Sequence, residues 1–176
     1  MTIHRDLSLE ALGAAVCTAL AERGIDVVLT GGAVVSIYSS NAYQSDDLDF
    51  IIRGLFKRVD EAMTSLGFSK TRARYWTHPQ TTYYGEFPPG PLEISGEPVR
   101  DIAERRTPEG TLRLLPPTEC VMDRLTAYYY LDDPQGLEQA IAVARAQPVD
   151  LRKVERWSRN EDQLAKHAEF VRRLQC

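Results

Sequence analysis

The stretch LTGGAVVSIYSSNAYQSDDLDFII, residues 29–52, decides the fold. A double glycine, Gly31-Gly32, opens a short apolar run with helical character. A cluster of aspartates then begins a run that reads as a strand, DLDFII, residues 47–52. Aspartate is a poor strand former, so several in succession at a strand start need compensation. Side chains alternate faces along a strand. Asp47 and Asp49 therefore share one face, Leu48 and Phe50 point to the core, and Asp46, just ahead of the strand, faces away from the pair. Two carboxylates on one face repel unless a cation sits between them. Hard oxygen ligands of this kind suit Mg²⁺ or Mn²⁺, and Mg²⁺ in particular keeps its waters and bridges substrate phosphates. The glycine turn leads into a helix, whose bare amides suit phosphate oxygens. Ser36, one turn into that helix, offers a hydroxyl. The pattern predicts one site, with phosphates at Gly31 and Gly32 and metal at Asp47 and Asp49.

Upstream, SLEALGAAVCTALAERG has helical periodicity, with Ser8 as its cap and Gly24 at its end, and DVVLT (26–30) reads as a strand. Downstream, residues 55–68 form an amphipathic pattern ending near Gly67. ARYWTH, TTYYGEF, PLEIS and TLRLL read as short strands separated by Pro, Gly and charges. After Pro116-Pro117 the sequence predicts four helices, with Thr118 and Asp150 as N-caps. The expectation is an α/β core over residues 1–115, built on a small mixed sheet, with a helical region over 116–176 packed on it.

The 176 residues suit one domain, and the net charge of −4 sets no bulk attraction for nucleic acid. No apolar run reaches membrane-spanning length. The opening MTIHRDLSLE lacks the order of a signal peptide, so a cytoplasmic protein with no membrane partner is expected. Three cysteines (17, 120, 176) and three histidines (4, 78, 167) are scattered, which argues against a disulfide framework or a His/Cys metal centre.

The segment GGAVVSIYSSNAYQSDDLDF resembles the signature of the nucleotidyltransferase superfamily related to DNA polymerase beta: Gly-Gly or Gly-Ser, a spacer of about ten residues, then Asp-x-Asp between apolar residues. Within it, the Gly-Gly form with SDDLDF is most similar to small prokaryotic enzymes of abortive-infection and toxin–antitoxin systems. The spacer here is slightly longer. The tail offers Arg124 and Asp132-Asp133 where toxin-like members carry a lysine and a Lys-Asp. The resemblance implies transfer of a nucleoside monophosphate from a triphosphate to an acceptor hydroxyl or phosphate. RNA, a protein or a small molecule is the acceptor it allows, and a partner protein encoded nearby goes with the paired systems. It also implies a third carboxylate from a later strand, for which Glu86 is preferred over Glu93, and a nucleotide-contacting role for Arg124.

Other readings compete. Tyr128 to Tyr130 offer either a base-stacking surface or an interface between tail and core. Arg152, Arg156 and Arg159, with Lys153 and Trp157, form either an RNA-contacting face or a solvated helix face. Arg124 either approaches a triphosphate or forms a helix-surface ion pair with Asp123 or a neighbour, Asp123 itself caps or pairs, and His78 is either a general base or a plain loop residue.

Overall fold

The computed structural model describes residues 3–54, 58–71 and 75–176. Helix α1 (Leu9–Ala21) starts where the Ser8 hydroxyl accepts the Ala11 amide at 3.2 Å. It leads to strand β1 (Val27–Thr30), helix α2 (Gly31–Tyr38) and strand β2 (Asp47–Ile52). The predicted helix over 55–68 is present as α3 (Val59–Ser65), and its expected start at 55–57 lies outside the described residues. Strands β3 (Ser69–Thr71), β4 (Tyr75–Thr77), β5 (Tyr84–Glu86), β6 (Glu93–Ile94), β7 (Glu97–Pro98), β8 (Ala103–Thr107) and β9 (Gly110–Leu114) follow. Four helices close the chain: α4 (Pro117–Leu131), α5 (Pro134–Ala146), α6 (Leu151–Asn160) and α7 (Leu164–Leu174).

Seven strands make one mixed sheet in the order β3-β4-β5-β2-β1-β9-β8, and β6-β7 form a separate ribbon. In β2 the alternation is complete: Leu48, Phe50 and Ile52 are buried, and Asp47, Asp49 and Ile51 are half-buried on the other face. Leu12, Val16 and Leu20 of α1 are buried in the core. Gly13 lets that helix approach closely, since a Cβ there would stand 3.0 Å from the Leu112 side chain.

Strand β8 was not anticipated. Its sequence, AERRT, is too charged to read as a strand, but it is an edge, hydrogen-bonded only to β9, where charged residues block further pairing. The N-cap expectation for Thr118 is corrected: Pro116 holds the cap position of α4, and the Thr118 hydroxyl accepts the Asp150 amide at 3.0 Å. Asp150 does cap α6, accepting the Lys153 amide at 3.0 Å.

The tail shares the core of the sheet. Leu125, Val154 and Phe170 belong to the same buried cluster as Leu29 and Leu48. Tyr129 is buried, stacks on Trp157 at 5.3 Å and bonds Ser158 at 2.8 Å. Trp157 is likewise buried, so it leaves the proposed surface stripe to Arg152, Arg156 and Arg159, which are exposed. Lys166 of α7 donates to the Tyr128 and Tyr129 carbonyls at 2.8 and 2.6 Å and to Asp132 at 2.5 Å, closing the C-terminus of α4.

Candidate active site

The site lies where β1 ends, α2 begins and β2 starts. Gly31, the first residue of α2, has φ +70°, and a Cβ there would come within 2.6 Å of Asp49 Oδ2. Only glycine accepts both the backbone conformation and the carboxylate pressed against it. At Gly32 a Cβ would meet the Ser45 hydroxyl at 3.0 Å. Among the described residues, no side chain caps the start of α2. Its first amides are thus left beside the carboxylates rather than closed by a neighbour.

The β2·β5 pairing assembles the acidic face. These strands run parallel, with Asp47 opposite Tyr84 and Asp49 opposite Glu86. Glu86 thereby stands next to Asp49 on the same face. Glu93 lies on the separate β6-β7 ribbon, exposed and paired with Pro98. Burial, reinforced by the negative charges of Asp47 and Glu86, pushes the Asp49 carboxyl up to about 6, and Arg124 opposes that rise.

Ser36 sits differently from its sequence reading. It is buried, and its hydroxyl accepts the Ser45 amide at 2.9 Å. Ser45 in turn donates a short hydrogen bond to the Asp47 carboxylate. Ser36 therefore fixes the loop that holds Asp47, and its hydroxyl is not turned toward the glycine amides. Ser45 was missed because a serine in a polar loop carries no signal.

Arg124, from α4, reaches the same region, and its charge acts on Asp49. The adjacent Asp123 accepts from both Nε, at 3.0 Å, and Nη2 of Arg124. Gln139 of α5, itself buried, takes Nη1 at 3.4 Å. Adjacent helix residues do not normally face one another, so this pairing turns the guanidinium along the helix surface. The ion pair with Asp123 is one of the two readings the sequence offers for Arg124. His78 is held in its loop, with Nδ1 accepting the Gln80 amide at 3.1 Å and its ring against Phe68.

A divalent cation suits this donor set chemically: hard carboxylate oxygens, one of them raised by burial and by its like-charged neighbours. Among the described residues, however, no three His, Cys, Asp or Glu side chains converge into a ready-made cage. The carboxylates act on one another electrostatically without meeting, and Asp47 is turned toward Ser45. No described helix is long and apolar enough to cross a membrane.

No protein-family model matches the sequence, and no curated protein matches it. Solved structures do. An antigenic nucleotidyltransferase-like protein from Paracoccidioides brasiliensis superposes with a TM-score of 0.59 at 13% identity, over 80% of this chain and 77% of that one. The antibiotic-resistance factor ANT(2'')-Ia in solution gives 0.49 at 12% identity, over 93% and 92% of the two chains. The same factor in complex with adenylyl-2"-tobramycin gives 0.47 at 13%, over 90% and 94%. The latter two scores are too low to add to the first. With the strand–Gly-Gly–helix–acidic-strand order and the mixed sheet, the first likeness establishes that this chain has a nucleotidyltransferase-like fold.

Proposed function

We propose that the protein is a metal-dependent nucleotidyltransferase. It moves a nucleoside monophosphate from a nucleoside triphosphate to an acceptor hydroxyl or phosphate and releases pyrophosphate. The observation that carries this reading is Asp49: it faces Glu86 across the parallel β2·β5 ladder and lies against the backbone of Gly31. Acidic side chains and a phosphate-binding helix start are thereby side by side.

Asp47, Asp49 and Glu86 would hold Mg²⁺ or Mn²⁺, which when bound offsets the negative charge of the phosphates and of the leaving pyrophosphate. The rest falls to the chain's own residues. The amides at Gly31 and Gly32 take the terminal phosphates, and Arg124 adds a fixed cation. Ser36 and Ser45 orient Asp47. Glu86 receives the acceptor's proton at a carboxylate oxygen. The acceptor oxygen bonds to the α-phosphorus as the bridging α–β bond breaks, so the count of bonds at phosphorus is restored.

The test is incubation with Mg²⁺ and each α-labelled triphosphate, together with total RNA and cell extract. Label entering RNA, protein or a small molecule with the wild type and not with the Asp47→Asn, Asp49→Asn double variant is the expected result. Unlabelled products throughout would refute the reading. One observation favours a second reading, a non-catalytic nucleotide- or partner-binding module of a toxin–antitoxin-like pair: the carboxylates do not converge among the described residues. Nucleotide binding without transfer, together with a co-purifying partner encoded nearby, would select it.

A further inference from the structure

Helix α5 lends no carboxylate to the acidic face, yet it touches both helices that border the site. Gly136 lies against α4: a Cβ there would stand 2.6 Å from the Arg124 carbonyl oxygen and 3.2 Å from the Tyr128 amide nitrogen. Glycine weakens a helix interior, so what it contributes here is the close approach. Gln139 follows at the i+3 position and so shares that face of α5. It is 5% exposed, and its Oε1 accepts from Arg124 Nη1 at 3.4 Å. At the far end of α5, Gln147 donates through Nε2 to the carbonyl of Tyr38, the last residue of α2, at 2.9 Å. The helix therefore runs from the arginine to the element that begins at Gly31-Gly32.

A buried amide calls for a reason. The other buried positions of α5 are Gly136, Leu137, Ala140, Ile141 and Val143, so an apolar residue would fit the pattern at 139. What the amide adds is an acceptor without charge. Asp123 already accepts from Nε, at 3.0 Å, and from Nη2 of Arg124. A glutamate at 139 would bring a second negative charge to the guanidinium and leave it little attraction for an anion. Gln139 directs Nη1 and leaves the charge as it is. Each terminal nitrogen carries two N–H groups, and among the described residues one on each is unused. Two N–H groups on one rigid plane suit phosphate oxygens. An arginine held from both sides also gives up less rotamer freedom when a ligand arrives.

We propose that Gln139 is a positioning residue: it turns Arg124 so that the unused N–H groups face the terminal phosphates of the nucleotide, and α5 fixes the spacing between that guanidinium and the amides of Gly31 and Gly32. This rests on the nucleotidyltransferase reading. Gln139→Met and Gln139→Leu test it, since both side chains favour a helix and fill the space without an amide. The probe is whichever of MgATP, MgGTP, MgCTP and MgUTP binds the wild type most tightly by calorimetry, and urea denaturation checks that each variant is folded. Both substitutions should weaken binding about three- to fivefold, the scale of one hydrogen bond. In the Arg124→Gln background they should have no further effect, because the group they orient is gone. A residue that only packs α5 against α4 would change affinity by the same factor in both backgrounds. Such an equal loss, or unchanged affinity in the otherwise wild-type protein, would overturn the proposal while leaving nucleotide binding intact. Failure of the wild type to bind any of the four triphosphates would instead sink the nucleotidyltransferase reading, and the role of Gln139 with it.

Discussion

The acidic face of the sheet and the helical tail treat their polar groups in opposite ways. In the tail most are matched, with Trp157 Nε1 and His167 Nε2 the exceptions among the described residues. Lys166 serves two carbonyls and Asp132, Glu119 pairs with Lys153, and the buried Tyr129 hydroxyl has Ser158. On the sheet, Asp49 is half-buried beside Asp47 and Glu86, and like charge adds to burial in raising its carboxyl. A chain selected for stability alone would not keep that arrangement. The tail is built to hold, and on the reading proposed above the sheet face takes a cation that offsets its negative charge.

Breaking the sheet face should therefore cost activity without costing the fold. Asp49→Asn is expected to lower nucleotidyl transfer at least about a hundredfold, because even a partner supporting a metal ligand is worth ten- to a hundredfold. The metal-free variant should melt at or above the wild type at pH 7, because a destabilised charge is gone. Wild-type turnover in Asp49→Asn would remove the functional contrast. Gly31→Ala should lose transfer similarly, through its Cβ against Asp49 Oδ2, and should also melt lower, since alanine at φ +70° costs about 1 kcal/mol.

The tail should respond the other way. Trp157→Ala removes the buried ring that stacks on Tyr129 and is expected to cost about 3–5 kcal/mol. Chemical denaturation would measure it. Nucleotide affinity of the folded protein should be unchanged; a large loss of affinity would mean that the tail shapes the site directly.

This contrast also marks what could be read from the sequence. DLDFII and the tail helices follow from period-two and period-3.6 patterns, because burial imposes those periods directly. The Gly31–Asp49 approach was not legible, because a Gly-Gly pair alone reads as a plain turn and only the fold brings β2 against it. The Glu86–Asp49 pairing required a parallel ladder between distant segments, and the preference for Glu86 came from its longer strand pattern alone. Strand β8 was hidden by its edge charges. Ser36 misled because a helix-face hydroxyl reads the same whether it points at a ligand or, as here, takes a loop amide. The Asp123–Arg124 ion pair was one of two readings the sequence offered for Arg124, and it is present, because opposite charges side by side on a helix are visible in sequence even where their exact direction is not.

The Asp123–Arg124 pair sharpens the comparison, because it is a tail element that serves the sheet face. Arg124→Gln should weaken MgATP binding about tenfold, the scale of a charge-assisted hydrogen bond. Asp123→Asn should weaken it less and, in the Arg124→Gln background, should have no further effect. Calorimetry on the four proteins gives the coupling. Additive losses would show that Asp123 acts on its own rather than by orienting Arg124.

A pH dependence is also expected, and it belongs to the sheet face alone. The Asp49 carboxyl lies at about 6 in the folded protein against an ordinary value of 3.8. Between those values the native state binds more protons at this group than the unfolded chain does, so stability falls as pH rises. The contribution is fully present below about pH 4 and is lost by the time pH has passed about 6. Melting curves of wild type and Asp49→Asn in chelator, from pH 4 to 8, isolate it as a difference. The wild type should lose ground to the variant across that window, and saturating Mg²⁺ with nucleotide should recover it, because bound cations favour the ionised carboxylate. Parallel curves would mean that Asp49 is relieved by solvent rather than awaiting a cation.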